Sequence, residues 1–246
     1  MKIWTMTITR NNADVLPWFL AHYGKFCERM IFWDDQSTDG TVELLKSHPR
    51  ADVRAWPFDT GLDDDAFLRF TYAAYRTAHP GADWVMWVDA DEFIYAPNVP
   101  EALRNAARHT TVCHTTGYNM SGDGMPAYQD GKQIYDLLPM GVPAPVYSKP
   151  VIFEPRLAVT WSRGKHQLET CDGPVSKVPF FKLLHYRYLG ADYTRKRNAN
   201  NYERVGSDKA KAWTCGPDYD DPSKEHSPAW ADAIKAKAVN VIELPI

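Results

Sequence analysis

Short apolar runs and amphipathic stretches alternate along the first hundred residues. The apolar runs predict β-strands at 2–8, 29–33, 53–58 and 84–88. The fourth run, WVMWV, has no polar position, which is typical of a strand that is buried on both faces of a parallel sheet. The chain is therefore expected to build the centre of its core from parallel strands.

The stretches between these strands carry apolar residues at helical spacing. They predict helices at 14–26, 39–47 and 63–78, and a fourth helix follows the last strand at 100–108. Pro17 falls in the first turn of its helix, where a missing N–H costs little. This alternation predicts a Rossmann-like α/β fold, with a mainly parallel sheet and helices on both faces.

The second half of the chain is less regular. Its first part, 117–145, is rich in Gly, Pro, Asp and Tyr, which is typical of ordered active-site loops. The remaining predicted elements are three strands, a basic helix and a short helix: 149–153, 158–161, 180–188, 193–205 and 229–238. We expect one domain over 1–246, divided by character into about 1–110, about 111–206 and a C-terminal tail at 207–246.

Composition excludes several classes of protein. The 246 residues are 44% hydrophobic and 24% charged, which excludes a disordered chain, a collagen and a coiled coil. No stretch approaches the roughly 18 apolar residues of a membrane-spanning helix. The N-terminus lacks the pattern of a secretory signal, so the expected location is cytoplasmic. The formal charge of −3 argues against a protein dedicated to nucleic-acid backbones.

The four cysteines, Cys27, Cys113, Cys171 and Cys215, are far apart and show no CxxC spacing. Four reduced thiols fit a cytoplasmic protein. A Cys171–Cys215 disulfide stays open but has no further support in the sequence.

The clearest candidate for chemistry is the acidic sequence DADEF at 89–93, directly after the fourth strand. Ligands of parallel sheets bind at the carboxyl ends of strands, so this motif is expected at the binding edge. Asp89 and Asp91 can share one divalent cation, and their hard oxygens suit Mg²⁺ or Mn²⁺, which keep positions open for diphosphate oxygens. The alternative is a solvated turn that caps a helix.

A second polar segment, DDQSTDGT at 34–41, follows the second strand. Ser37 and Thr38 can order a tight turn and Asp39 can cap the next helix, which explains most of the segment without a ligand. Asp35 differs, because a carboxylate at a strand end near the switch point of the sheet can accept hydrogen bonds from a nucleobase or a ribose.

These segments resemble the nucleotide-sugar half of glycosyltransferase family 2. The match begins with TRNN at the end of the first strand and continues with DDQSTDGT and WVDADEF. Later segments, YSKPVIF, GKH and LLHYRYLG, are similar to a bacterial and viral branch of the family. The resemblance implies a GT-A fold with the nucleotide-sugar half at 1–110 and the acceptor half at 111–206. It also implies a nucleoside-diphosphate sugar donor, a divalent metal and inversion at the anomeric carbon.

The resemblance further implies roles for individual residues. Asp91 would bind Mn²⁺ or Mg²⁺ directly, and Asp89 would contact the ribose or the water shell of the metal. GT-A enzymes often use a later histidine as a further ligand, and His185, which ends an apolar strand, is favoured over His166. His166 and Lys149 would then serve the acceptor or the diphosphate. The residues expected to bind the donor nucleotide are Thr9, Arg10, Asp35, Arg69 and Asp89.

An inverting transferase needs a general base that takes the proton of the acceptor hydroxyl. The resemblance implies a carboxylate after the metal motif. Asp123 and Asp136, both in the irregular segment, are the two candidates, and the sequence does not separate them. UDP-sugars are the expected donors because family 2 enzymes use them most.

The acceptor stays open between a glycan, a lipid-linked sugar, a protein and a hydroxylated DNA base. Residues 187–211 include seven basic and three acidic side chains, a net charge of +4. Such a stretch can stabilise the leaving diphosphate, bind an anionic acceptor or follow a phosphate backbone. A solvated helix face is the alternative interpretation.

Three rival functions fit the sequence less well. A metal-dependent phosphohydrolase or nuclease would usually need carboxylates in the first strand, and 2–8 has none. A nucleotidyltransferase would carry a Gly-rich basic loop after that strand, where this chain has TRNN. A non-catalytic carbohydrate-binding protein would not need a metal–diphosphate site. We therefore predict a metal-dependent glycosyltransferase.

Overall fold

The main sheet has parallel strands at its centre. In the computed structural model, the described residues are 1–58, 64–162, 165–205, 221, 223–224 and 227–246. The strands of the main sheet are, in spatial order, β3 (Ala51–Ala55), β2 (Arg29–Asp34), β1 (Ile3–Thr9), β4 (Trp84–Trp87), β9 (Ile152–Phe153) and β6 (Val112–Cys113). β1 to β4 run parallel, and β9 is antiparallel to both of its neighbours.

A second sheet is built mostly from the later half of the chain. Its strands, in spatial order, are β13 (Val239–Asn240), β8 (Met140–Pro143), β7 (Thr115–Met120), β12 (Phe181–His185) and β5 (Glu92–Tyr95). β12 is parallel to β7 and antiparallel to β5. A separate antiparallel pair is formed by β10 (Val159–Trp161) and β11 (Leu168–Cys171).

Helices cover both faces of the main sheet. The helices are α1 (Leu16–Tyr23), α2 (Thr41–Lys46), α3 (Asp64–Arg76), α4 (Val99–Ala106), α5 (Ile134–Leu137), α6 (Gly190–Val205) and α7 (Pro228–Ala233), with 3₁₀ turns at Pro145–Tyr147 and Ile234–Lys237. Side chains of α1, α2 and α4 join one apolar core, and Tyr75 of α3 joins a second core with Trp87 on the opposite face. The predicted α/β fold is thus confirmed. None of the described helices has the length and apolarity to cross a membrane.

Local sequence signals explain where several elements begin. Asn98 caps α4, since its side chain accepts a hydrogen bond from the backbone N–H of Glu101 at 3.2 Å. Ser227 caps α7 in the same way by accepting from the N–H of Trp230 at 3.0 Å. Every residue of β4 is buried, as its continuous apolar run predicts.

The observed elements differ from the predicted ones mainly where pairing is between distant segments. β5 begins at Glu92 within the acidic motif, where the sequence predicted no strand, and most of β7 and all of β8 lie within the segment predicted to be irregular. Each half of the chain gives strands to both sheets, because β5 belongs to the second sheet and β6 and β9 belong to the main one. Cys215 lies outside the described residues, and with it the Cys171–Cys215 pairing.

His22 on α1 is expected to make folding pH-dependent. Its side chain is buried, and Nε2 lies 2.9 Å from the carbonyl oxygen of Ile94. Burial lowers the pKa of His22 to about 4, and the hydrogen bond to Ile94 offsets only part of that effect. A histidine in the unfolded chain titrates near the ordinary value of about 6.5. Between these two pH values the unfolded state therefore holds the extra proton.

The free energy of unfolding should consequently fall as the pH drops from 6.5 towards 4, by up to about 1.4 kcal/mol per pH unit from this residue. Urea unfolding at several pH values measures the slope. His22→Gln, whose amide can still donate to the Ile94 carbonyl, should make the slope shallower. An unchanged slope in this variant would contradict the prediction.

Candidate active site

The acidic motif connects the two sheets. β4 of the main sheet ends shortly before Asp89, and β5 of the second sheet begins at Glu92. In the pairing of β12 with β5, His185 lies opposite Glu92. The backbone N–H of Tyr186 donates to the carbonyl oxygen of Asp91 at 2.8 Å. This register brings the end of β12 beside the motif.

Asp91 and His185 face each other in the interior. Nε2 of His185 is 3.9 Å from Oδ1 of Asp91, and their side chains are 5% and 6% exposed. Nδ1 of His185 lies 2.9 Å from the amide oxygen of Asn119, which only accepts, so Nδ1 carries the proton. Burial lowers the pKa of His185 to about 3 despite the nearby Asp91 carboxylate, so the ring is neutral and Nε2 presents a lone pair. Tyr147 stacks on the ring at 4.0 Å between centroids.

Arg197 on α6 holds the other oxygen of Asp91. Its Nη2 is 3.3 Å from Oδ2 of Asp91, and the guanidinium is almost completely buried. Nη1 donates to the side-chain oxygen of Asn12 at 2.6 Å and to the carbonyl oxygen of Asn11 at 3.3 Å. Arg197 thus fastens α6 to the loop after β1 and leaves Oδ1 of Asp91 facing His185.

Two lysines accompany the remaining acids of the motif. Nζ of Lys165 is 3.1 Å from Oδ1 of Asp89, and Nζ of Lys149 is 3.8 Å from Oδ2. Lys149 also lies 2.5 Å from Oε1 of Glu92, whose side chain has no exposed surface. Partial burial opposes ionisation of Asp89, but the ammonium groups of Lys165 and Lys149 hold the pKa of its carboxyl below the ordinary value. Its side chain is 49% exposed, so Asp89 is the acid of the motif that ligands can reach most easily.

The structure brings three of the predicted donor residues together at the ends of β1 and β2. The backbone N–H of Asp35 donates to the carbonyl oxygen of Thr9 at 2.8 Å. Nη1 of Arg10 donates to the carbonyl oxygen of Asp35 at 2.8 Å, and the Asn12 amide donates to Oγ1 of Thr9 at 2.9 Å. Arg69, the fourth, lies on α3 with an exposed side chain.

The two carboxylates predicted as general base make other contacts. Asp123 has a side chain that is 95% exposed and pairs with Nζ of Lys235 at 2.5 Å. Asp136 accepts a hydrogen bond from the backbone N–H of Gln133 at 2.7 Å and so caps α5. His166 precedes β11, and its ring meets the edge of the Tyr147 ring.

Sequence reasoning missed Arg197 and Lys165 as members of the site. The net charge of the basic stretch does not indicate which of its residues are buried, but Thr194, Arg197 and Asn198 stand at helical spacing and form a buried face of α6. A charged side chain on that face is the signal that could have identified Arg197. Lys165 lies in the GKH segment, directly before His166, which the sequence analysis assigned to the acceptor or the diphosphate.

The Asp91–His185 pair fits a divalent cation. A carboxylate oxygen and an imidazole lone pair that face each other in a buried site repel unless a cation lies between them, and a mixed oxygen and nitrogen donor set suits Mn²⁺. Within the parts of the chain that the structure describes, no three or more His, Cys, Asp and Glu side chains are grouped to hold a metal. The protein would therefore supply two ligands and leave other positions to phosphate oxygens and water.

Comparisons with known proteins extend these observations only in part. No protein-family profile matches the chain, so membership of glycosyltransferase family 2 stays a prediction. Two uncharacterized proteins, one from Mycobacterium bovis and one from Mycobacterium tuberculosis, are each 34% identical to the chain over 97 residues. The match covers 37% of this chain, and the chain spans 23% of the length of either relative.

Several solved structures are similar at low sequence identity. Mannosyl-3-phosphoglycerate synthase from Rubrobacter xylanophilus is 18% identical, with coverage of 52% of this chain and 44% of its own and a TM-score of 0.36. 4-Diphosphocytidyl-2C-methyl-D-erythritol synthase from Anaerococcus prevotii is 12% identical, with coverage of 63% and 70% and a TM-score of 0.38. At these identities and TM-scores no activity is carried over to this chain.

Proposed function

We propose that the protein is a metal-dependent glycosyltransferase that moves a sugar from a nucleoside-diphosphate sugar to a hydroxyl acceptor. UDP-sugars are the favoured donors. The observation that carries the proposal is the buried pair of Asp91 and His185, in which Oδ1 and the Nε2 lone pair stand 3.9 Å apart. Asp89 lies at the carboxyl end of β4, two residues before Asp91, and ligands of parallel sheets bind at that edge. Mn²⁺ or Mg²⁺ held there would act as a Lewis acid on the diphosphate.

The charges of the site support a diphosphate ligand. Three carboxylates of the site are ion-paired with three cations: Asp89, Asp91 and Glu92 with Lys149, Lys165 and Arg197. Arg187 adds a further positive charge that acts on Asp91 and His185. A divalent cation would add two positive charges, and the diphosphate bridge of a sugar nucleotide carries two negative ones. The diphosphate would then offset the charge of the metal in a partly buried site, where an uncompensated charge is costly.

The residues of the chain divide the work along the donor. Thr9, Arg10 and Asp35 stand at the ends of β1 and β2, where the nucleoside would bind. Lys165 and Lys149 place ammonium groups beside Asp89, where they would stabilise the charge that develops on the leaving nucleotide. We propose direct displacement by the acceptor oxygen, with inversion at the anomeric carbon.

A donor screen tests this function. The wild-type protein is incubated with UDP-, GDP-, ADP- and dTDP-sugars, and release of the nucleoside diphosphate is measured with Mn²⁺, with Mg²⁺ and with EDTA. We expect release of the nucleoside diphosphate from donors of one nucleotide class. The rate should be highest with metal and should be abolished by EDTA, because EDTA removes the cation from Asp91 and His185. Oligosaccharides and hydroxymethylated duplex DNA, added in separate arms, should reveal the acceptor class by raising the rate.

Two outcomes would contradict the proposal. Full activity in EDTA would remove the metal from the mechanism. Release of no nucleoside diphosphate from any donor, under conditions in which the protein is folded by circular dichroism, would remove the transferase function itself.

A further inference from the structure

His166 has a fixed tautomer. Its Nδ1 lies 2.7 Å from the carbonyl oxygen of Val146, which only accepts, so Nδ1 carries a proton and donates it. In the neutral ring, Nε2 is therefore the basic nitrogen. Among the residues that the structure describes, Nε2 makes no hydrogen bond, and the side chain is only half-buried. The ring thus offers an oriented lone pair that a small ligand can reach.

His166 also lies near the site formed by the acidic motif and His185. Its ring centroid is 5.8 Å from that of Tyr147, whose ring stacks on His185. The residue before it, Lys165, has a left-handed backbone with φ of 60° and reaches Asp89 with its ammonium group. A left-handed backbone at a residue other than glycine is uncommon, and such strain is found at functional sites.

We propose that His166 is the catalytic base that takes the proton of the acceptor hydroxyl; this inference rests on the glycosyltransferase function proposed above. The acceptor oxygen uses a lone pair to form the new bond to the anomeric carbon. The bond from that carbon to the phosphate oxygen breaks, and its electron pair leaves with the nucleoside diphosphate. The acceptor proton passes to Nε2 of His166, and the imidazolium then releases it to solvent.

The electrostatic surroundings keep this base ready at neutral pH. Burial lowers the pKa of His166, and the Lys149 ammonium lowers it further. The hydrogen bond to Val146 and the Asp89 carboxylate act in the opposite sense, and Lys165 adds to the lowering. The ring is therefore neutral at neutral pH, and its Nε2 is free of a proton and can act as a base.

Neither carboxylate candidate has a comparable position. Asp123 extends into solvent and pairs with Lys235, and Asp136 is used as the cap of α5. Proton transfer from an acceptor requires a basic atom at hydrogen-bonding distance from the reacting oxygen. Of these three side chains, His166 is the one that the structure joins to the site through Tyr147 and Lys165.

The test uses the full chain and a sugar nucleotide that the wild type cleaves, with water as the acceptor. His166→Gln and His166→Ala should lower kcat for release of the nucleoside diphosphate by about 100-fold or more. Affinity for UDP with Mn²⁺, measured by calorimetry, should stay unchanged. The wild-type rate should fall at acid pH, below the ordinary histidine value of about 6.5. The variants should lose this dependence, and added imidazole should partly restore the rate of His166→Ala.

Three further variants make the result decisive. His109→Gln removes an exposed histidine and should keep the rate and the pH profile. Wild-type rate and pH profile in His166→Gln would overturn the inference while leaving the transferase function intact. So would loss of the acid limb in Asp123→Asn or Asp136→Asn with retention in His166→Gln. Failure of the wild type to cleave any donor would instead refute the proposed function.

Discussion

Asp91→Asn is expected to abolish Mn²⁺-dependent turnover and to lower stability, because the buried Arg197 loses its charged partner, while the protein stays folded in the absence of denaturant. The substitution keeps the shape of the side chain, and the new amide oxygen can still accept from Arg197. It removes the negative charge that would face a cation together with Nε2 of His185. Loss of a residue that only orients a metal ligand commonly costs 10- to 100-fold in metal affinity. Loss of the ligand charge itself should therefore reduce Mn²⁺ affinity by about 100-fold or more.

Calorimetric titration of Mn²⁺ in the presence of UDP measures this effect, and circular dichroism reports the fold. Asp83→Asn is the matched control, because Asp83 has an exposed side chain that accepts from the backbone N–H of Lys2. The control should bind Mn²⁺ as the wild type does. Equal Mn²⁺ affinity in Asp91→Asn and the wild type would rule out Asp91 as a ligand.

Lys149→Met is expected to destabilise the fold by about 3–5 kcal/mol. The Lys149 ammonium lies 2.5 Å from Oε1 of Glu92, and the two side chains are 3% and 0% exposed. Burial alone lowers the pKa of Lys149, but the Glu92 carboxylate raises it above the ordinary value, so the lysine is charged. Removing the ammonium leaves a carboxylate in the interior with its main cation missing. Urea unfolding measures the loss.

The chain offers a surface ion pair of similar length for comparison. Nε of Arg156 lies 2.6 Å from Oε2 of Glu154, but the arginine side chain is 58% exposed. Arg156→Met should therefore cost less than about 1 kcal/mol. Lys149→Met combined with Glu92→Gln should recover part of the loss, because the buried charge is then gone. Equal costs for Lys149→Met and Arg156→Met would contradict the argument.

The parallel half of the fold is predictable because its signals are local. β4 is a continuous apolar run, β2 contains one at Met30–Trp33, and β1 alternates apolar residues with threonines. The helices between the strands show apolar residues at helical spacing. β5 carries no such signal, since its first residue is a glutamate. Glu92 is buried in an ion pair with Lys149, which is 57 residues away in the chain. No pattern within a short window contains that information.

The candidate site likewise contains residues that local sequence signals identify and residues that they do not. Asp89 and Asp91 stand out because three acids follow an apolar strand, and His185 because it ends one. The partners that fix their electrostatics come from distant segments: Asn119 orients His185, and Arg197 is 106 residues from Asp91. Pairing across such distances depends on the tertiary fold, which composition and spacing do not encode.

The guanidinium of Arg197 forms a strut between the two sheets. It is bonded to Asn12, next to β1 of the main sheet, and to Asp91, next to β5 of the second sheet. In the proposed complex, the nucleoside end of the donor would lie at the ends of β1 and β2 and the phosphate end at the acidic motif, which joins the two sheets. The donor would then connect the sheets beside Arg197. Because such a ligand would contact both sheets, its binding free energy would add to the free energy needed to separate them. The resistance of the two sheets to separation would then increase with the fraction of protein that has donor bound.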